Sequence, residues 1–211
     1  MRQNISELNC FIANSSSGHR PSRDLLHWDR KGILLPAYHG KWNTQWTKSG
    51  AIAPWKIQGK WWMYYLGTKK DPDGQARDYM GVASSPDLLH WSDETDQPVL
   101  DRRPGAFDSR VMEPGPAPIR TPAGILLLYN GADEKLVYGP GWVLFDSQNP
   151  TRVLARSDKP FLLPELTWEK KGQVPNVVFL EGLIPAGADF TGYYGAADQS
   201  IGAARIHVNV R

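Results

Sequence analysis

The segment Arg23-Asp-Leu-Leu-His-Trp28 returns as Pro86-Asp-Leu-Leu-His-Trp91, 63 residues further on, with five of six positions identical. A second thread runs in parallel. The runs Trp62-Met-Tyr-Tyr65, Leu126-Leu-Leu-Tyr129 and Gly192-Tyr-Tyr194 each end on a tyrosine, in steps of 64 and 65 residues. Hairpin-rich units recurring at a fixed period belong to solenoids or propellers. Four short strands with generous loops fill a unit of that length in a propeller blade. The expectation is an all-β chain built as a propeller.

Local chemistry agrees. Gly 20 and Pro 17 punctuate the 211 residues, and Trp 9 supplies many flat apolar plates. Helix-period stripes are nearly absent, whereas KWWMYYLG, GILLLYNG, NVVFLEG and FTGYYGAA sit between Gly, Pro and Asp clusters, the pattern of strands and turns. The count, however, does not close: little more than three periods fit, and a ring needs at least four blades. Residues 1–211 therefore read as a single partial propeller domain, with 1–20 irregular. An open array leaves an unpaired strand edge, so the chain reads as a piece of a longer product or as one that assembles with another chain, a homo-oligomer included.

Charge excludes several functions. The 24 Lys and Arg against 22 Asp and Glu are interspersed, without the basic stripe of a nucleic-acid binder or a membrane-surface patch. The opening MRQNISELNCFIANSSSGHR has no apolar run longer than FIA, hence no signal-peptide core, and no stretch reaches the length of a transmembrane helix. Cys10 is alone and forms no internal disulfide. A cytoplasmic protein acting on a small neutral ligand is the expectation.

Polar residues gather where the repeats stop resembling one another: Lys48 in WTKSGAI, Asp108-Ser-Arg110 and Glu113 in FDSRVMEPGPAP, Glu181 in VVFLEG, and Asp198 in YYGAAD. Inner strands of a propeller surround a central funnel, so these groups are expected to converge there. Paired carboxylates suit glycoside cleavage; if phosphate attacks in place of water, Arg and Lys must hold it. Each residue also has a plainer explanation. Glu113 beside Arg110 reads equally as a salt-bridged turn. Glu181 in an apolar run is costly unless paired or used. Asp133 and Asp198, closing the parallel segments YNGAD and YGAAD, read equally as turn makers. In the repeated motif Asp caps a turn, Leu-Leu enters the core and Trp packs between blades, which leaves His27 and His90 without a chemical role. Trp42, Trp46, Trp61, Trp62 and Tyr194 have apolar faces for a sugar ring or for interblade packing.

The segments MEPGPAPIRTPAGILLLYNGAD, GWVLFDSQNPTRVLARSDKPFLLPE, GQVPNVVFLEG and YYGAADQSIGAAR, in that order and spacing, resemble glycoside hydrolase family 130, the β-mannoside phosphorylases and mannosidases. The resemblance spans residues 20–207 and is most specific in the last hundred. It implies a five-bladed β-propeller, of which about three blades are present, acting on a manno-oligosaccharide or another β-mannoside. It implies no metal and no cofactor, with inorganic phosphate as co-substrate in a phosphorylase. Glu113 and Glu181 are the catalytic candidates, and Asp108, Arg110, Tyr194 and Asp198 the substrate-binding ones. Asp198 matches the family's aspartate on mannose hydroxyls. Glu113 falls where phosphorylases have a phosphate-binding turn and hydrolytic members a glutamate, and Lys48 and Arg110 are the candidate phosphate ligands. Two departures stand out: the early-blade aspartate that serves the phosphorylases as acid would fall at or before Met1, and Leu66-Gly67-Thr68 stands where phosphorylases carry Arg and hydrolases an acid. The residues therefore favour hydrolysis over phosphorolysis, with a catalytically dead sugar-binding propeller as the alternative and an arabinanase- or fructosidase-type glycosidase a weaker third.

Overall fold

The computed structural model describes residues 17–19, 22, 24, 26–29, 32–36 and 42–209. Nearly all regular structure is antiparallel β. Strands β1 (Ser17–His19) and β2 (Gly32–Leu35) form a two-stranded sheet. β3 (Thr47–Ile52), β4 (Trp61–Lys70), β5 (Ala76–Ser85) and β6 (Ser92–Asp93) follow one another in a four-stranded sheet. The next sheet holds β7 (Val111–Pro114), β8 (Ile119–Thr121), β9 (Gly124–Ala132), β10 (Tyr138–Phe145) and β11 (Val153–Arg156), with β7 and β8 lying end to end along one edge of β9. After one helical turn, α1 (Thr167–Lys170), the strands β12 (Val178–Ala186), β13 (Asp189–Ala196) and β14 (Ser200–Ile206) make a three-stranded sheet. The three recurring tyrosines lie on β4, β9 and β13, the second strand of three separate sheets. Ser17–His19 form a strand inside the stretch expected to be irregular; the remainder of 1–20 lies outside the described residues.

The middle strands β4 and β9 are buried along most of their length because both faces are covered. Every residue of β9 is buried. One core joins the β3–β6 sheet to the β7–β11 sheet, with Tyr64 stacked on Phe145 at 4.4 Å between ring centroids. A second core, around Leu126, Leu128, Leu180 and Tyr194, joins the β7–β11 sheet to the β12–β14 sheet. Consecutive sheets thus pack face to face.

The tyrosine repeat has one structural meaning in all three sheets. Tyr65 donates its hydroxyl to Asp93, Tyr129 to Asp108 at 2.6 Å, and Tyr194 to Glu169 at 2.7 Å. Each is a buried phenol satisfied by a carboxylate from a different kind of element, β6 for Asp93, the loop before β7 for Asp108 and α1 for Glu169, which ties that element to the middle strand. Burial raises Tyr65 far above the ordinary phenol range, with Asp93 adding to it, and raises Tyr129 well above that range too.

In the hexapeptide repeat, Asp24 accepts the N–H groups of Leu26 and His27, and Asp87 those of Leu89 and His90, each at 2.8–2.9 Å. The carboxylates also meet the ring Nδ1 of His27 at 2.6 Å and of His90 at 2.7 Å. The hydrogen bond to the His27 ring, then the two backbone donors, hold Asp24 at about 2. Core entry of the leucines occurs in part: Leu88 packs against the first core and Leu25 lies outside the described residues, while the second of each pair, Leu26 and Leu89, is 80% and 46% exposed. Their backbone serves the aspartate, and the side chains project outward. Trp91 is buried in the first core, while Trp28 is partly exposed.

Candidate functional site

Lys48, Glu113 and Glu181 stand on β3, β7 and β12, the first strand of three successive sheets, 65 and 68 residues apart. They are equivalent stations of the repeat carrying different chemistry. Lys48 Nζ lies 3.0 Å from Glu113 Oε2, and the Ser49 hydroxyl donates to Oε1. Ser49 has a left-handed backbone, φ 56°, within the β3 bulge between Lys48 and Ala51, a conformation costly for a non-glycine residue and most often kept where function requires it. Glu113 itself is buried and pairs across the ladder with Asn130.

Glu181 occupies a second bulge, between Leu180 and Gly182. A bulge re-aims a side chain out of strand alternation, and so turns a carboxylate from an apolar run toward Glu113 and Lys48. The residue is exposed to solvent, yet its carboxyl is held above the ordinary value, first by loss of hydration and then by the Glu113 charge, with Lys48 opposing. Asp198 sits in the β13–β14 turn, where Ala197 (φ 48°) and Asp198 (φ 51°) are both left-handed. The turn is pinned by hydrogen bonds from Val174 N–H to Ala197 O and from Ala197 N–H to Val177 O.

Tyr138, at the start of β10, links these groups. Its phenol is pushed up to about 12, first by burial, then by the charges of Glu113, Asp78 and Asp198, with Arg110 opposing. Four charged groups from three sheets therefore lie within electrostatic reach of one hydroxyl. Glu113 and Asp198 are thus both among the charges that act on this hydroxyl. Arg110 is exposed and makes no ion pair with the described residues. Asp78, on β5, accepts from the Thr68 hydroxyl. Neither Asp78 nor Tyr138 is flagged by the sequence: the first sits in a strand register shared by many polar residues, and the second belongs to a Tyr-Gly-Pro-Gly run without a motif. The usable signal was the equivalence of Lys48, Glu113 and Glu181 under the repeat.

Two expected ligand contacts are corrected. Asp108 is completely buried: it accepts from Arg103 Nη2 and Tyr129, pairs with Arg156, and faces no cleft. Tyr194 is 5% exposed, stacked on Trp168 and bonded through its hydroxyl to Glu169. Asp133 makes a turn, accepting the N–H groups of Lys135 and Val137. Among the tryptophans, Trp42 and Trp62 are buried, and Trp46, two residues before Lys48, is open to solvent. The Leu66-Gly67-Thr68 departure also has a physical cause. A Cβ on Gly67 would run into the Trp42 ring, which lies over β4 and β5, Leu66 is fully buried, and Thr68 is engaged with Asp78. A separate groove of about 610 Å³, lined by Leu126, Leu128, Trp142, Leu144 and Ile206, lies between the β7–β11 and β12–β14 sheets and carries no carboxylate.

The family model described as β-1,4-mannooligosaccharide phosphorylase matches residues 12–210, and the chain belongs to glycoside hydrolase family 130. It is 37% identical over 187 residues to a 1,2-β-oligomannan phosphorylase of Thermoanaerobacter sp. (strain X514), and 36% identical over 163 residues to a β-1,2-mannobiose phosphorylase of Listeria innocua. Those alignments cover 89% and 77% of this chain but 57% and 44% of the relatives, so it spans about half their length. Among solved structures, the Listeria innocua β-1,2-mannobiose phosphorylase in complex with β-1,2-mannobiose superposes with a TM-score of 0.80 at 31% identity, covering 91% of this chain and 51% of that one. Another, reported with the finding that this family of mannoside phosphorylases contains glycoside hydrolases targeting β-1,2 mannosidic linkages in Candida mannan, gives 0.77 at 34% identity, covering 91% and 58%. A thermostable family-43 glycoside hydrolase shares the fold at 18% identity, with a TM-score of 0.70 over 97% of this chain and 66% of that one.

Proposed function

We propose that the three larger sheets are blades of a five-bladed propeller and that the cleft between their first strands cleaves a β-1,2-linked mannoside by hydrolysis. The relatives and solved neighbours named for β-1,2-mannosides support the linkage. The observation that carries hydrolysis is the contact of Lys48 with Glu113 at 3.0 Å. The cation that would hold phosphate is spent on a carboxylate, a second carboxylate, Glu181, stands beside it, and Arg110 is left as the cleft's other cation. A phosphate dianion needs several fixed positive charges, and this cleft offers it mainly repulsion.

In this reading Glu113, with one oxygen on Lys48 and the other on Ser49, accepts a proton from the attacking water. Glu181, whose protonated form is favoured by loss of hydration and the neighbouring charge, serves as the acid that protonates the leaving oxygen. The C1–O bond to water forms as the glycosidic C1–O bond breaks, giving mannose and the shortened alcohol. Asp198 and Arg110 hold sugar hydroxyls. Phosphorolysis is the second reading, because the curated relatives above are phosphorylases. Incubating the protein with β-1,2-mannobiose, with and without phosphate, separates the two. Mannose released equally in both supports hydrolysis, phosphate-dependent mannose 1-phosphate overturns it, and tight binding without turnover selects a sugar-binding propeller.

A further inference from the structure

The described tyrosines divide sharply by what their hydroxyls do. Tyr64 donates to Pro150 O at 3.0 Å, Tyr65 to Asp93, Tyr79 to Asp71 at 2.6 Å, Tyr129 to Asp108 and Tyr194 to Glu169. Tyr193 lies on the surface. Tyr138 is half-buried, and its hydroxyl has no hydrogen-bond partner among the described residues.

Its ring is held from several sides. Leu66, Val111 and Ala132 pack with it, Phe179 lies at 6.2 Å between centroids, and its backbone N–H donates to Asn176 O at 3.0 Å. The hydroxyl is thus fixed in place without being used. Around it stand Glu113, Asp78 and Asp198, which in the ionised form only accept hydrogen bonds. A sugar hydroxyl needs both donors and acceptors, and Lys48 is already committed to Glu113. Arg110 is the other donor there, so acceptors outnumber donors and a fixed phenol adds to the smaller set.

We infer that Tyr138 is a ligand-contacting residue of the cleft, its phenol donating to a hydroxyl or ring oxygen of the bound sugar that the carboxylates hold from the other side. The inference rests on the carbohydrate reading of the cleft. A site built to hydrogen-bond a hydroxyl loses much of its affinity when one partner is deleted.

The test is Tyr138→Phe, which keeps the ring and its packing. Calorimetric titration with β-1,2-mannobiose, mannose, arabinobiose and fructose is run on both proteins at a temperature where their circular dichroism shows them folded. The expected result is binding of mannobiose by the wild type, weakened about tenfold or more in the variant, with the thermal midpoint unchanged. Equal affinities would overturn the role of Tyr138 while leaving the mannoside reading intact. Binding of another sugar of the set, lost in the variant, would keep Tyr138 and overturn the mannoside. No binding of any sugar by the wild type would overturn both.

Discussion

Asp108 and Glu113 lie five residues apart in one segment and look alike in the sequence, yet the fold puts them to opposite uses. Asp108 is sealed in, with Arg103, Arg156 and Tyr129 around it and Arg103 reaching on to Ser157 O at 2.7 Å. Every oxygen is used, and the loop before β7 is stapled to β9 and β11. Glu113 also has a cation and a hydroxyl, but beside it are Glu181 and the Tyr138 phenol, and its Lys48 partner is partly open to water. A carboxylate whose partners satisfy it completely is architecture. One placed among like charges, on a bulged frame, is kept at some cost to stability, as functional sites commonly are.

The sharpest way to break the comparison is at the sealed end. Asp108→Ala leaves two arginines facing a buried void, and removing one partner of a buried ionic network costs about 3–5 kcal/mol. Urea unfolding checks this, and a loss below about 1 kcal/mol would show that the network is not the staple described. Next in size, Tyr194→Phe removes one donor from Glu169. Burial alone would raise that carboxyl, but the N–H groups of Leu166 and Glu165 and the Tyr194 hydroxyl keep it below its usual value. The expected cost is about 1–3 kcal/mol, with sugar affinity unchanged; an affinity loss at constant stability would return Tyr194 to the ligand.

The smallest effect has the opposite sign. Because the folded pKa of Glu181 is raised, the folded state binds its proton more tightly than the unfolded chain does. Its charge therefore opposes folding at pH 7, and this penalty fades as pH falls through the raised value toward the ordinary carboxyl range near 4.3. Glu181→Gln should stabilise the protein at pH 7, by less than about 1 kcal/mol since the residue is open to solvent, and the gain should vanish at pH 4. Urea midpoints at the two pH values decide it; a variant less stable at pH 7 would mean that Glu181 is held by favourable contacts.

The sequence made the repeat legible because a sheet that packs against two neighbours demands the same apolar strand each time, and Tyr65, Tyr129 and Tyr194 preserve that station. What the tyrosines do was not legible, since their acceptors Asp93, Asp108 and Glu169 come from a strand, a loop and a helix at different distances and on both sides in the chain. The same applies to the site. Lys48, Glu113, Glu181 and Asp198 were visible as polar interruptions of a repeated pattern. Asp108 interrupts it too, and only the approach of Arg103 and Arg156 from separate loops shows that it belongs to the frame. Tyr138 was hidden because its significance is a missing partner, a property of three-dimensional surroundings alone.

The most direct test of the contrast is Glu113→Gln, measured for urea stability and for mannose release from β-1,2-mannobiose on the same preparation. Lys48 can turn to water when its partner is neutralised, so the unfolding free energy should stay within about 1 kcal/mol of wild type, while release falls about 10²–10⁴-fold, as for loss of a general base. A stability loss of the Asp108 kind, with release per folded molecule unchanged, would place Glu113 in the frame of the protein and contradict the account.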